Sequence, residues 1–474
     1  MSDNALKPVL PVRPFALPLT REQLSAALQK GHGRALLHSR EYGAADLTEV
    51  ILDACLHNRA YDPQCEDTRA DWMMQIVEAA ALQSPVARAI GTRLSKSRED
   101  GGFWDATHMC RMARLLGQRG YSAARSALYG ALRKNPTSLD LIGVEDIVQL
   151  DGADGLLFVV DILGSWLQED SQLTLDDEPL RRYDEDGRAE GDARRILEQA
   201  APSNQRITAY LSHIDAPPQA KAGPQLSMGG WTRPDNAQLN PDSLSQHKQR
   251  MRTISAERVI QEIRSVAPDQ DRYWYMSWGR HASDSDLANV AAAMFDETHP
   301  GRLQKYLRVF RQRALPYFDQ RLLGLADYPD REVRDATLAA LANCTHPEVR
   351  CLAVSRIRQA RVCEGELKLL THNYRAGDGR LIEAALVVPE NPDELHSIVY
   401  DLVSVIKANR DADLADVMLF VYEYSPCSNC RGAAVKALID TATIPGWVRD
   451  ECRYDASEQI RGMAERFGAD GFGT

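Results

Sequence analysis

Asp330–Gln359 reads DREVRDATLAALANCTHPEVRCLAVSRIRQ. Two short amphipathic helices fit this stretch. The first opens on Asp330 and carries Val333-Arg334 in its first turn; the second opens on Pro347 and carries Val349-Arg350. An acid suits a helix start because the first-turn N–H groups lack intrahelical acceptors, and a proline there gives up no hydrogen bond. Helices this short bury their apolar face only against neighbours of the same kind, so the stretch predicts stacked helical hairpins.

Alignment on the arginine extends the pattern. Arg334 is followed by Thr337, Ala340 and Leu341; Arg350 by Ala353, Arg356 and Ile357; Arg431 by Ala434, Ala437 and Leu438; Arg125 by Leu128, Ala131 and Leu132. Arg69, with Trp72, Gln75 and Ile76, is a looser copy. In the common form, R-x-x-small-x-x-A-L, the third and seventh residues after the arginine share a face. Small residues at the third and sixth positions let the next helix approach, and the final Leu or Ile fills the core. The arginine stem is expected to cover apolar surface while its guanidinium reaches acids or carbonyls of the neighbouring repeat.

Asp330, Val333, Arg334, Thr337, Ala340 and Leu341 match D-x-x-V-R-x-x-A-x-x-A-L, so the chain resembles the HEAT-repeat family, closely over residues 284–467 and more loosely over 19–167. The resemblance implies an all-α α-solenoid of stacked antiparallel helical hairpins. One spacing departs from it: Arg334 and Arg350 lie 16 residues apart, against a repeat pitch of about 40. Two enzyme families of similar architecture fit poorly. Deoxyhypusine hydroxylase binds iron through His-Glu pairs, and none of the 11 histidines here precedes Glu. HEAT-like alkylpurine DNA glycosylases need a basic DNA-holding surface, against a net charge of -11.

Outward from the repeat, helical periodicity divides the chain. Residues 1–18 form a Pro-rich tail, 19–170 an N-terminal helical array, 171–243 an acidic and Pro/Gly-rich linker or insertion, 244–468 a C-terminal array and 469–474 a short tail. In the N-terminal array Thr20 is an N-cap candidate, Gly31 and Gly33 close the first helix, and Asp46 starts the second. Asp151-Gly152 and Asp154-Gly155 are expected to break the stretch Leu139–Leu167. In the C-terminal array Pro300–Ala314 and Phe318–Ala326 are expected as helices before the Asp330 pair.

Charge and hydropathy narrow the function. The acidic balance disfavours non-specific binding to DNA or an anionic membrane. Gly155–Leu167, the longest apolar run, is too short to span a bilayer and contains Asp161. No signal-peptide pattern is read at Met1–Leu19, and the nine cysteines form no disulfide framework, so a reducing cytoplasm is expected.

Several clusters carry possible chemistry. Cys427-Ser428-Asn429-Cys430 precedes a helix whose start favours a thiolate; zinc there would need further ligands, with Cys452 the nearest thiol. Cys344, His346 and Cys351 crowd one turn, with Cys363 beyond, although His346-Pro347 is also an ordinary helix start. His57 and His108 are single histidines on helix faces. Gly31-His32-Gly33-Arg34 lacks the phosphate-loop pattern. Arg302, Lys305, Arg308, Arg311 and Arg313 place five cations on one expected helix, either a groove for an acidic peptide or a phosphate backbone, or a solvated face. Tyr273, Trp274, Tyr275 and Trp278 follow a basic segment and are read as a surface that stacks bases or anchors a partner, or as core.

The chain is therefore expected to be a non-catalytic protein-interaction scaffold without a cofactor, binding a protein or peptide through Arg302, Lys305, Arg308, Arg311, Tyr273, Trp274 and Trp278. The alternative is a nucleic-acid-binding or nucleic-acid-modifying protein of HEAT-like form.

Overall fold

A computed structural model describes residues 12–66, 69–95, 102–133, 141–170, 173–186, 189–216, 241–267, 274–359 and 365–469. These residues are all-helical, with no β-strand. They fall into two compact units. Of the described residues, the first takes those within 15–216 together with Asp450–Ala464; the second takes those within 241–449 together with residues 12–14 and 465–469.

In the first unit the helices are α1 (Arg21–Lys30), α2 (Arg34–Tyr42), α3 (Thr48–Leu56), α4 (Arg69–Ala79), α5 (Gln83–Ser95) and α6 (Phe103–Gln118). Then come α7 (Ser122–Arg133), α8 (Val144–Glu169), α9 (Glu178–Glu185), α10 (Asp192–Ala200) and α11 (Gln205–Ile214). Up to α8, each helix packs on its sequence neighbour and on the helix two along, α2 on α4 and α5 on α7, for example. These helices share a core that includes Leu24, Leu36, Trp72, Ile76, Leu116 and Leu163.

The second unit holds α12 (Pro241–Arg252), α13 (Ala256–Ser265), α14 (Trp274–His281), α15 (Asp284–Phe295), α16 (Pro300–Val309) and α17 (Arg321–Leu325). It continues with α18 (Arg331–Leu341), α19 (Pro347–Arg358), α20 (Asp378–Glu383), α21 (Pro392–Asn409), α22 (Ala415–Tyr424) and α23 (Ser428–Asp440). Packing again runs in steps of two: α13 on α15, α14 on α16, α16 on α18, α21 on α23. Two last helices, α24 (Gly446–Cys452) and α25 (Glu458–Ala469), end the described chain.

The aligned arginines tie these elements together. Arg334 donates to the carbonyls of Tyr328 and Pro329 at 2.8 and 2.9 Å. Arg350 spans to Asp378 and to the Asn373 carbonyl, 2.7 Å away. Arg125 pairs with Asp151 at 2.9 Å, and Arg69 reaches the Leu28 and Gln29 carbonyls at the end of α1. Arg431 is wholly buried in α23. Arg461 repeats the Arg334 contact, donating to the carbonyls six and five residues before it, Asp455 and Ala456.

Four features depart from the sequence-based expectation. A helix, α2, fills Arg34–Tyr42, where the buried face includes Arg34, His38 and Ser39 and so shows no apolar period. Ser39 returns its hydroxyl to the Ala35 carbonyl, and His38 Nδ1 accepts from the Leu19 amide. Of the two Asp-Gly pairs only the first acts as a breaker: Gly152, at φ +58, kinks α8. Gly155 instead lets the chain fold back closely, because a Cβ there would stand 2.4 Å from the Ile147 carbonyl oxygen.

The segment expected as linker or insertion, 171–243, carries α9 and α11 beside α10, and only α10 coincides with the helix that the sequence predicts around Ala193–Ala201. Asp161, the charge that interrupts the apolar run of α8, accepts from Asn204 and Arg206 and so fixes the start of α11. The remainder, 217–240, lies outside the described residues. The last departure concerns residues 450–464, expected in the C-terminal array. They complete the first unit: the Ala456 amide donates to the Gly31 carbonyl, Trp72 Nε1 to the Tyr454 carbonyl, and Arg34 forms a buried ion pair with Glu451. Gly33 permits the approach, since a Cβ there would lie 2.1 Å from the Glu451 carbonyl oxygen.

Candidate functional site

The helix expected to run to Ala314 stops at Val309, and Asn343 caps the end by donating to the Phe310 carbonyl. The five cations therefore do not share one helical face. Lys305 is 1% exposed and donates its Nζ to the Ala267 carbonyl just beyond α13, which makes it an internal strut. Arg302 is only partly exposed, and its Nε is buried. Arg313 is tied to the Ala282 carbonyl and to Asp284. The cause is packing: α13, α14, α15 and α18 all contact α16, leaving little of it to solvent.

Arg308 and Arg311 remain on the surface and line a groove of about 330 Å³. Its other walls are Gln304, Glu332, Asp335 and Lys368, and Ala336 and Ala339 form its floor. Gln304 Nε2 donates to Glu332 at 2.7 Å across the α16–α18 contact, and Lys368 lies 3.7 Å from Asp401. Small residues on one exposed face of α18 thus leave a trough bordered by three cations and two acids. Lys368 was not singled out from sequence, because it sits in a short 3-10 turn, Leu367–Leu370, with no periodicity to mark it.

The aromatic cluster resolves toward core. Trp278 and Tyr275 are fully buried, and Trp278 Nε1 donates to the Ile254 carbonyl at 2.9 Å. Trp274 is partly exposed against the Tyr275 ring. Tyr273 lies outside the described residues. Neither Lys305 nor Trp278 is placed to meet a partner, since each spends its polar atom on a backbone carbonyl.

The C-x-x-C segment gains a partner that sequence spacing did not show. Cys427 is the N-cap residue of α23, and Ser425 holds the turn by donating to the Cys427 carbonyl and accepting from its amide. Helix α21 packs along α23 and brings His396 to the pair, with Nε2 3.7 Å from Cys430 Sγ. The ligating atoms of His396, Cys427 and Cys430 all lie within 4.8 Å of one another. The Cys430 thiol, then the amides of Cys430 and Asn429, hold Cys427 well below the ordinary thiol value despite burial, while Cys427, and then burial, push Cys430 up. Cys452, the thiol nearest in sequence, is fully buried, and the group that converges is His396, Cys427 and Cys430. His396 lies 31 residues before Cys427 in the chain, and only the α21–α23 packing joins them.

The remaining candidates have structural explanations. His346 Nδ1 accepts from the Glu348 amide and its ring stacks on Phe318, so it caps α19; Cys344 is buried, Cys351 exposed, and Cys363 outside the described residues. His108 is buried against the Ala54 carbonyl, and His57 pairs with Asp53 on its own helix. Gly31 to Arg34 is the seat of the returning segment 450–456. Among the described residues no helix is long and apolar enough to cross a membrane. Comparison of the chain with protein-family models and with curated proteins finds no match.

Proposed function

We propose that this chain is a HEAT-like α-solenoid protein of the cytoplasm that acts as a non-catalytic interaction scaffold. The observation that carries the reading is the trough between α16 and α18, where Arg308, Arg311 and Lys368 face Glu332 and Asp335 over an alanine floor. A trough of about 330 Å³ takes a few side chains of a peptide segment. Its mixed charge favours a partner that presents an acid beside a base. A nucleic-acid backbone would meet repulsion from the two acids and from the chain's net charge of -11. Packing of helices on the one two along, from α1 to α8 and again at α12–α14, α13–α15, α14–α16, α16–α18, α20–α22 and α21–α23, supports the solenoid reading.

Affinity capture from cells of the native host tests the assignment, with K436E as a surface control. Wild type and K436E are expected to recover the same partner, and R308E/R311E to lose it by about tenfold or more, the scale of a disrupted charged contact. Equal recovery by the reversed variant would remove the trough from the binding surface.

A further inference from the structure

Two thiols and a part-buried imidazole bring their ligating atoms within 4.8 Å of one another across the α21–α23 contact. His396 turns Nε2 toward the Cys430 sulfur, 3.7 Å away. We propose that His396, Cys427 and Cys430 form a Cys2His site for a zinc ion, with the fourth coordination position open to water or a small exogenous ligand.

The separations suit that ion. Tetrahedral zinc, with Zn–S near 2.3 Å and Zn–N near 2.0–2.1 Å, has an S···N edge of about 3.6 Å and an S···S edge of about 3.8 Å. The Cys430–His396 separation is 3.7 Å and every other ligand edge is within 4.8 Å, so side-chain movement of about 1 Å closes the site. The ligands stand on packed elements, with His396 on α21 and Cys430 in the first turn of α23. The Ser425 hydroxyl fixes the intervening turn through both the amide and the carbonyl of Cys427.

Ligand chemistry selects the metal. Two thiolates and an imidazole favour zinc over magnesium or calcium, which prefer oxygen. Access is also graded: Cys427 and Cys430 are 7% and 6% exposed, while His396 is only partly covered. A zinc ion held from the sulfur side would therefore keep one face toward solvent, on the side where exposed Tyr400 stands one turn beyond His396. Three protein ligands and one open position is an arrangement in which zinc activates a bound water.

The test uses the full chain, stripped of metal under reducing conditions and titrated with zinc and with cobalt(II). One equivalent is expected to bind, and the cobalt form to show thiolate-to-metal charge transfer with tetrahedral visible bands. C427S and C430S are each expected to abolish the charge-transfer signal and H396Q to weaken binding at least tenfold, while C351S, at an exposed cysteine outside the cluster, binds as wild type. Adding a small thiol should shift the visible bands. A wild-type chain that binds no zinc at micromolar free ion, or cobalt spectra without thiolate character, overturns the site without recourse to any variant. Retention of the signal in folded C427S does the same, and bands unmoved by added thiol overturn the open position.

Discussion

His108 shows how a single buried group sets the response of a fold to acid. Its Nε2 lies 3.2 Å from the Ala54 carbonyl, which only accepts, so the neutral ring carries its proton there. Burial, reinforced by nearby Arg69 and Arg111, pulls its pKa down to about 4, against an ordinary value near 6.5. Between these values the unfolded chain binds a proton that the folded chain refuses, so this contribution falls as pH drops from about 6.5 to about 4, by roughly 3 kcal/mol in all. Asp146 acts in the opposite sense. Burial outweighs Arg114 and raises it to about 6, so its contribution grows as pH falls through about 6 toward 4. The two slopes oppose one another within one unit. H108Q keeps a donor for Ala54 but does not titrate. Relative to wild type it should gain roughly 2–3 kcal/mol between pH 7 and pH 4, read from urea midpoints at the two pH values. Parallel curves would show that His108 is not excluded from charging.

At the scale of elements, close approach of backbones decides where helices sit. A Cβ on Gly164 would stand 2.1 Å from the Arg206 carbonyl oxygen, so α11 lies on α8 only because position 164 has no side chain. G164A should cost about 1–3 kcal/mol through forced separation. G130A, in open space on α7, should instead stabilise by about 0.5–1 kcal/mol. Thermal unfolding of the two variants gives opposite shifts if this account holds. Gly164 lies inside an apolar run, where nothing in the sequence names its partner. The Arg334 register was legible because it is local: Val333, Arg334 and Thr337 state a helix, a cap and a face within one turn. The same local signal, Ile460-Arg461 with Ala464 three residues on, could have located the Arg461 contact. The helix α2 was hidden because its buried face is partly polar. The His396 cluster and the burial of Lys305 both depend on which helices meet, which a 3.6-residue period does not record.

For the molecule as a whole, Asp450–Ala464 make the first unit depend on residues far along the chain. Glu451 is fully buried against Arg34, and Tyr454 accepts from the fully buried Trp72. Removing one partner of such a buried ion pair costs about 3–5 kcal/mol. A chain ending at residue 449 should therefore be cut by protease within residues 21–95 under conditions that leave the full chain intact, and a synthetic 450–469 peptide should restore protection. Identical digestion of the two chains would show that the first unit stands without its returning segment.

That dependence has a temporal side. Ribosomes release the first 234 residues early, and folding generally follows synthesis from the N-terminus. Here the seat at Gly31–Arg34 waits for Glu451 and Ala456 while some two hundred further residues are translated, about 10–40 s at ordinary elongation rates. During that interval a nascent chain carries an unfinished surface around Trp72, which makes it a candidate for chaperone holding. A message broken before codon 450 would yield a product that never covers this surface.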